Sequence, residues 1–279
     1  MSGSTTSNRS ASPNQLSKNF THAQNGSAPS HAVQKSHQIA GAKPKHKLMF
    51  SAQFNHRVMI NFKMSSRTLA TQLPAGLELL PFRSSYYVTF MATHIRGVKM
   101  FGLPIFPAFN AISLRTYVRS AKFPSTSGNF TFGRYVSSSA GAWLLKKKLG
   151  LTARVIPIKR NVKSAKGAPL PSVRYGWKTG DAEDLLRITA RSQVRGDSDE
   201  TKPGWMLNQL NEFTVVKNKI VVHKTVNPKC KAYDVAKANF KCSVKKMFGQ
   251  TFVKSLQSRP ASVYLFDGGK TTFMAGEAL

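Results

Sequence analysis

Acidic residues are scarce in this chain. Its 279 residues hold 11 Asp and Glu against 42 Lys and Arg, a net charge of +31. The scarcity is also uneven. Glu78 is the only acid before Asp181, so residues 1–180, with 26 basic side chains, carry +25 (26 − 1) and the remainder carries +6 (16 − 10). Cysteine is nearly missing: Cys230 and Cys242 are the only two. One possible pair in a chain this long excludes a disulfide framework and a cysteine-based metal site. No apolar run approaches the ~18 residues of a bilayer-spanning helix. The opening "MSGSTTSNRSASPNQ" has no apolar segment of the secretory kind. It is Ser-rich and acid-free like an import leader, but Arg9 is the only arginine before Arg57. A reduced, cytoplasmic protein is the expectation.

Motifs that carry chemistry are absent as well. There is no Gly-x-Gly-x-x-Gly, no Walker sequence, and no Gly-x-Ser-x-Gly context around Ser137–Ser139. No RNA-binding aromatic signature is present. The seven histidines are scattered; His22, His31, His37 and His46 match no metal spacing. No metal and no cofactor is expected.

What is present divides the chain in two. Residues 1–47 are rich in Ser, Asn, Gln, His and Lys and poor in large apolar residues, too poor to offset the entropy of ordering. They read as a disordered basic tail, and 48–279 as a single domain. In that domain Val58, Ile60, Phe62 and Met64 alternate with polar residues as in a half-buried strand, broken by Met59. "SSRTLATQL" reads as a short helix stopped by Pro74. "SYYVTFMATHI", "NAISLRTYVR" and "GNFTFGRYV" read as strands, the second placing Ile112, Leu114, Thr116 and Val118 on one face. Ser138 or Ser139 can cap a helix that runs to Leu149 and ends at Gly150. "TARVIPIKR", "SVRYGWKT" and "LLRITARSQV" predict three more strands, and residues 163–171 and 195–204 predict loops. "WMLNQLNEF" predicts a helix. "TVVKNKIVV" predicts a hairpin around Lys217 and Asn218, and "VYLFDGGKTTFM" a second one turning at Asp267–Gly269. Many antiparallel strands and three or four short helices give an α+β class, mainly antiparallel β.

The order of these segments resembles a known family. "LPAGLELLPF", then "GLPIFPAFNAISLRTYVR", a Phe-rich strand and a helix ending "LGL" are similar to the YqjF-like domain of unknown function. The likeness runs from about Phe54 onward and is strongest over 73–119. That family is similar in turn to acetoacetate decarboxylase, whose start "INFKMSSRTLATQLPAGLEL" also resembles. The resemblance implies a strongly bent antiparallel sheet closed into a cone or barrel, with a few outer helices and a pocket inside. It implies no established reaction.

Two site hypotheses follow. Acetoacetate decarboxylases carry a Lys-Lys-Leu-Gly sequence whose lysine condenses with the substrate ketone, its amine kept neutral by a neighbouring lysine and a dry pocket. Lys147, Lys148, Leu149 and Gly150 match it, which would make Lys147 a Schiff-base nucleophile and Lys148 its perturbing neighbour. On a helix, however, Lys146–Lys148 span about 200° opposite Leu145 and Leu149, which reads as a solvated face. The second hypothesis is ligand contact by Arg115 and Tyr117. They lie two residues apart on one strand and share a face, and together they could hold a carboxylate or phosphate. Glu212 is the candidate ion-pair partner, and His94 a candidate for the same cavity. The leading functional reading is a protein that binds a small anionic molecule inside a β-cone, without decarboxylase activity. The alternatives are a decarboxylase-like lyase using Lys147, and weak, non-specific binding of nucleic acid or anionic membrane through the basic surface and tail.

Overall fold

The computed structural model of the chain describes residues 48–163, 172–194, 200–209, 211–226 and 230–279. The tail expected over 1–47, and parts of the loops expected over 163–171 and 195–204, lie outside them. Long β-branched and aromatic runs give β1 (Leu48–Lys63), which a short helix, α1 (Ser66–Ala70), and β2 (Leu77–Leu79) separate from β3 (Tyr87–Met100). β4 (Leu103–Phe106), β5 (Phe109–Ser120) and β6 (Ser127–Val136) follow. Helix α2 (Ser139–Leu149) starts where the Ser138 hydroxyl accepts from the Gly141 amide at 3.1 Å. It stops at Gly150, whose φ of 64° is the left-handed cap geometry. Next come β7 (Arg154–Val155), β8 (Ile158–Lys163), β9 (Ser172–Thr179), β10 (Ala182–Val194) and α3 (Lys202–Leu207). The chain ends with β11 (Asn211–Val216), β12 (Lys219–Val226), β13 (Ala232–Lys241), α4 (Val244–Phe248), a 3₁₀ turn (Gln250–Phe252), α5 (Val253–Leu256), β14 (Ser262–Met274) and β15 (Glu277–Ala278).

The strands form one bent, mostly antiparallel sheet, ordered β15-β12-β11-β6-β5-β3-β1-β14-β13-β10-β9-β8 along its main path. A further pairing joins Thr225 and Val226 of β12 to Phe273 and Thr272 of β14. That seam closes seven strands, β14-β1-β3-β5-β6-β11-β12, into a ring. The other arm, β13-β10-β9-β8, folds back over the outside. Ile112 and Leu114 of β5, Val58, Ile60 and Phe62 of β1 and Phe90 of β3 pack there against Tyr175, Trp177, Leu186 and Ile188. Val244, Met247, Phe252 and Leu256 from α4, the 3₁₀ turn and α5 complete that layer. A separate apolar cluster lies toward α2, with Phe50, Ala52, Ile95, Phe109, Leu144 and Leu149.

Two bulges break the period-2 alternation of the ring strands. In β1, Asn55 opposes His94 but Val58 opposes Ala92, so one residue is extra; His56, beside it, has φ 48°. Consequently Phe54 and Arg57, three apart, lean to the same side. In β6, Leu114 opposes Gly133 and Arg115 opposes Thr131, which leaves Phe132 extra. Asn129, Thr131 and Arg134 then share a face that strict alternation would split.

Several sequence expectations need correction. β1 has no solvated side over its second half: Met59 and Asn61 are as buried as Val58 and Ile60, because the ring encloses one face and the outer layer covers the other. Residues 205–213 are not one helix. α3 begins earlier, at Lys202 with a Thr201 cap, and residues from Asn211 onward are drawn into strand pairing with β6. The stretch 263–274 is no hairpin. Asp267–Gly269 stay inside the continuous β14, where Asn55 opposes Gly268. The run 152–160 divides around Pro157 into β7 and β8. The Lys217–Asn218 hairpin forms, both residues having positive φ.

Candidate functional site

A cavity of about 110 Å³ opens inside the ring, and every one of the seven ring strands contributes to its wall. Apolar lining comes from Phe54, Met91, Ile95, Phe273, Met206 of α3 and the Leu145 and Leu149 side of α2. Charge comes from three arginines, Arg57, Arg115 and Arg134, and one carboxylate, Glu212.

Arg134 and Glu212 are mutually satisfied. Arg134 Nη2 donates to Glu212 Oε1 at 2.6 Å, and the Thr131 hydroxyl donates to the same oxygen at 2.8 Å. Both side chains are largely buried, so this is a desolvated, hydrogen-bonded pair. Arg57 and Arg115 have no such partner. Each has a buried Nε without a hydrogen-bond acceptor; Arg115 Nη2 lies 3.7 Å from the Met59 sulfur, and the Arg115 side chain also hydrogen-bonds Tyr117, neither of which supplies a counter-charge. Burial, and then the charge of Arg115, push the Arg57 guanidinium down to about 10, so Arg57 remains charged at neutral pH and is repelled by Arg115. The Arg57 guanidinium lies 5.1 Å from the centre of the Phe54 ring, a cation–π contact that supplies no counter-charge. Three further buried polar atoms in the same wall are unpartnered: Ser113 Oγ, Asn129 Oδ1 and Gln209 Oε1. Buried polar atoms are almost always paired in folded proteins. Five around this one cavity have no partner among the described residues.

The structure separates the residues singled out in the sequence. Arg115 and Glu212 line the cavity. Glu212 is an ion-pair partner, but its partner is Arg134 rather than Arg115. Tyr117 shares the face of Arg115 yet is buried beneath the cavity wall, 1% exposed. Its hydroxyl meets the Thr89 hydroxyl at 3.1 Å, Thr89 donates to Asn61 Oδ1 at 2.8 Å, and its ring packs 4.7 Å from that of Trp205. Burial raises its hydroxyl above the ordinary value, against the charge of Arg115 and hydrogen bonds with Thr89 and Arg115, so Tyr117 touches Arg115 without lining the cavity. His94 lies on the opposite side of β3 from Thr93 and Ile95, which line the cavity, and its Nδ1 meets Asn110 Oδ1 at 2.9 Å. Lys146, Lys147 and Lys148 are exposed on the last turn of α2, while Leu149 beside them is buried. None of the lining residues is a lysine. Three cations at a helix C-terminus complement its macrodipole. The placement of Lys147 lacks the dry surroundings that a Schiff-base nucleophile requires. Arg57, Arg134, Asn129, Ser113 and Gln209 were not foreseen. The signal available was Gly133, next to the β6 bulge; Arg57 and Asn129 are each one polar residue among several in their strands.

Residues 51–268 match the family model of DUF2071, described as an uncharacterized conserved protein. The chain belongs to this family. No match is found among curated proteins. Solved structures share the fold. An acetoacetate decarboxylase-like enzyme from Sphingomonas wittichii RW1 aligns with a TM-score of 0.58 at 10% identity over 83% of this chain and 92% of its own. Acetoacetate decarboxylase from Legionella pneumophila aligns with a TM-score of 0.56 at 11% identity over 86% and 93%. The enduracididine biosynthesis enzyme MppR, complexed with pyruvate, aligns with a TM-score of 0.58 at 11% identity over 86% and 93%. This DUF2071 chain therefore has the acetoacetate decarboxylase-like fold; at such identities the likeness carries the fold and nothing further.

Proposed function

We propose that this DUF2071 protein binds a small monoanion, a carboxylate above all, in the ring cavity between Arg57 and Arg115. The observation that carries the reading is the pair of guanidiniums. Three arginines and one glutamate line the cavity, so two positive charges are left without a counter-ion, in a wall of largely apolar residues. A planar carboxylate suits them, because guanidinium N–H groups donate to it in a fixed fork. A protein of the same fold is complexed with pyruvate, a small carboxylate. The Schiff-base reading has no comparable support. Its amine would have to come from Lys147 or Lys148, whose side chains are exposed on α2.

The test is a titration of the full chain with acetate, propionate and pyruvate, followed by thermal shift and calorimetry. A ligand that binds only the folded state adds about 2.7 kcal/mol of stability at a hundred times Kd. At least one carboxylate is expected to stabilise the wild type, and Arg115→Ala is expected to lose that effect. Retention of every hit at unchanged affinity in both Arg115→Ala and Arg57→Ala would overturn the assignment.

A further inference from the structure

Beyond the two free guanidiniums, the cavity has a second polar corner of opposite character. Asn129 Nδ2 donates to the carbonyls of Asn211 at 2.9 Å and Gln209 at 3.3 Å. Gln209 Nε2 donates to the carbonyl of Trp205 at 3.2 Å. These bonds fix both amides: the nitrogens are spent on backbone carbonyls, so Asn129 Oδ1 and Gln209 Oε1 are the atoms left buried and unpaired in the wall. The Asn129 side chain bonds the Gln209 backbone, and both side chains line the cavity. In register, Asn129 opposes Tyr117 while Thr131 opposes Arg115, so the acceptor corner sits one step along the β5–β6 ladder from the cationic corner.

We infer that the ligand is two-ended: a short carboxylate whose anionic end meets Arg57, Arg115 and Ser113 and whose other end donates a hydrogen bond to Asn129 Oδ1 and Gln209 Oε1. This rests on the anion-binding reading above and adds the ligand's second functional group. The field decides which donor it is. Arg134 and Glu212 neutralise each other, and a bound carboxylate cancels only one of the two remaining charges. An ammonium donor would meet the surplus positive charge. A hydroxyl donates without adding charge. The ligand class is therefore a small hydroxycarboxylate. Size agrees: an apolar cavity of about 150 Å³ holds benzene, so 110 Å³ suits roughly four to six heavy atoms.

The experiment compares matched acids by calorimetry on the full chain: glycolate beside acetate, lactate and 3-hydroxypropionate beside propionate, and β-alanine as the ammonium counterpart. In the wild type at least one hydroxy acid should bind on the order of tenfold tighter than its deoxy partner, the worth of one buried hydrogen bond. Gln209→Leu removes one of the two acceptors at similar volume. It should lower that ratio several-fold, weakening the hydroxy acid more than its deoxy partner. Gln209→Met should act the same way and serves where the leucine variant folds poorly. Equal affinity for hydroxy and deoxy acids in the wild type, or a ratio that neither substitution lowers, overturns the two-ended ligand while leaving the anion site standing. β-Alanine binding as tightly as 3-hydroxypropionate overturns the choice of hydroxyl. Failure of every acid to bind overturns the anion site itself, and the inference with it.

Discussion

Arg57 and Arg115 are the cavity's two charges without a counter-ion among the described residues, but three buried histidines shape the molecule's response to acid. Burial, followed by the charge of Arg160, holds His56 below the ordinary imidazole value; Arg160 Nη1 donates to His56 Nδ1 at 2.7 Å, which requires the neutral ring. Burial likewise lowers His94 and His223. A group with a folded pKa below its unfolded value binds fewer protons in the folded state, so stability rises with pH across the gap. The contribution is complete above the ordinary value of about 6.5 and is lost as pH falls through it toward the folded values. The thermal midpoint should thus be lower at pH 5 than at pH 7.5, and His56→Asn, which tolerates the left-handed backbone, should shrink the difference. A midpoint that stays level or climbs on acidification would contradict this.

At the scale of single elements, the two bulges explain both what the sequence reveals and what it conceals. β5 has an unbroken alternation, so Arg115 could be placed on the inner face and Ile112 and Leu114 on the outer one from spacing alone. The α2 cap at Ser138 and its stop at Gly150 were equally legible, because both depend on neighbouring residues only. Arg57 and Arg134 were not legible. Each lies just beyond an inserted residue that switches which parity faces inward; Gly133 hints at the insertion in β6, but no comparable residue marks the one in β1. The Asp267–Gly269 stretch misled for a related reason. Gly268, with φ 110°, serves not a turn but the close approach of β14 to β1: a Cβ there would lie 1.8 Å from the Phe54 carbonyl oxygen. Gly268→Ala should cost about 3 kcal/mol or more, since backbone rather than a mobile side chain stands in the way. Gly97, also at positive φ (57°) but with nothing near its Cβ position, supplies the comparison. Gly97→Ala should cost only about 1–2 kcal/mol. Urea unfolding of the two variants measures the difference, and equal losses would sink the packing argument.

Across the whole molecule, the charge of +31 is carried far from the cavity as well as in it. Lys159, Arg160, Arg174 and Lys178 rim an open cleft of about 610 Å³ over β8–β10, with only Glu183 and Asp184 as acids in its wall. Duplex DNA should bind there weakly, without sequence preference, and with affinity falling steeply as salt rises, about 0.9 in log–log slope per phosphate neutralised. A Lys159→Gln, Lys178→Gln double variant should lower that slope by roughly 1–2. Salt-independent binding, or strong preference for one sequence, would contradict the account. The ring itself is fastened unequally. β1 is paired along most of its length on both sides, whereas the β11–β12 hairpin is held by β6 only from Asn211–Gly128 to Phe213–Phe130 and by β14 only at Thr225–Phe273 and Val226–Thr272. Its outer edge carries β15 at Val221–Ala278 and Val222–Glu277, so among the described residues the hairpin has fewer ladder partners within the ring than β1. Glu212, gripping Arg134 from the hairpin across to β6, is its latch. In deuterated water the β11–β12 amides should therefore trade their protons for solvent sooner than those of β1.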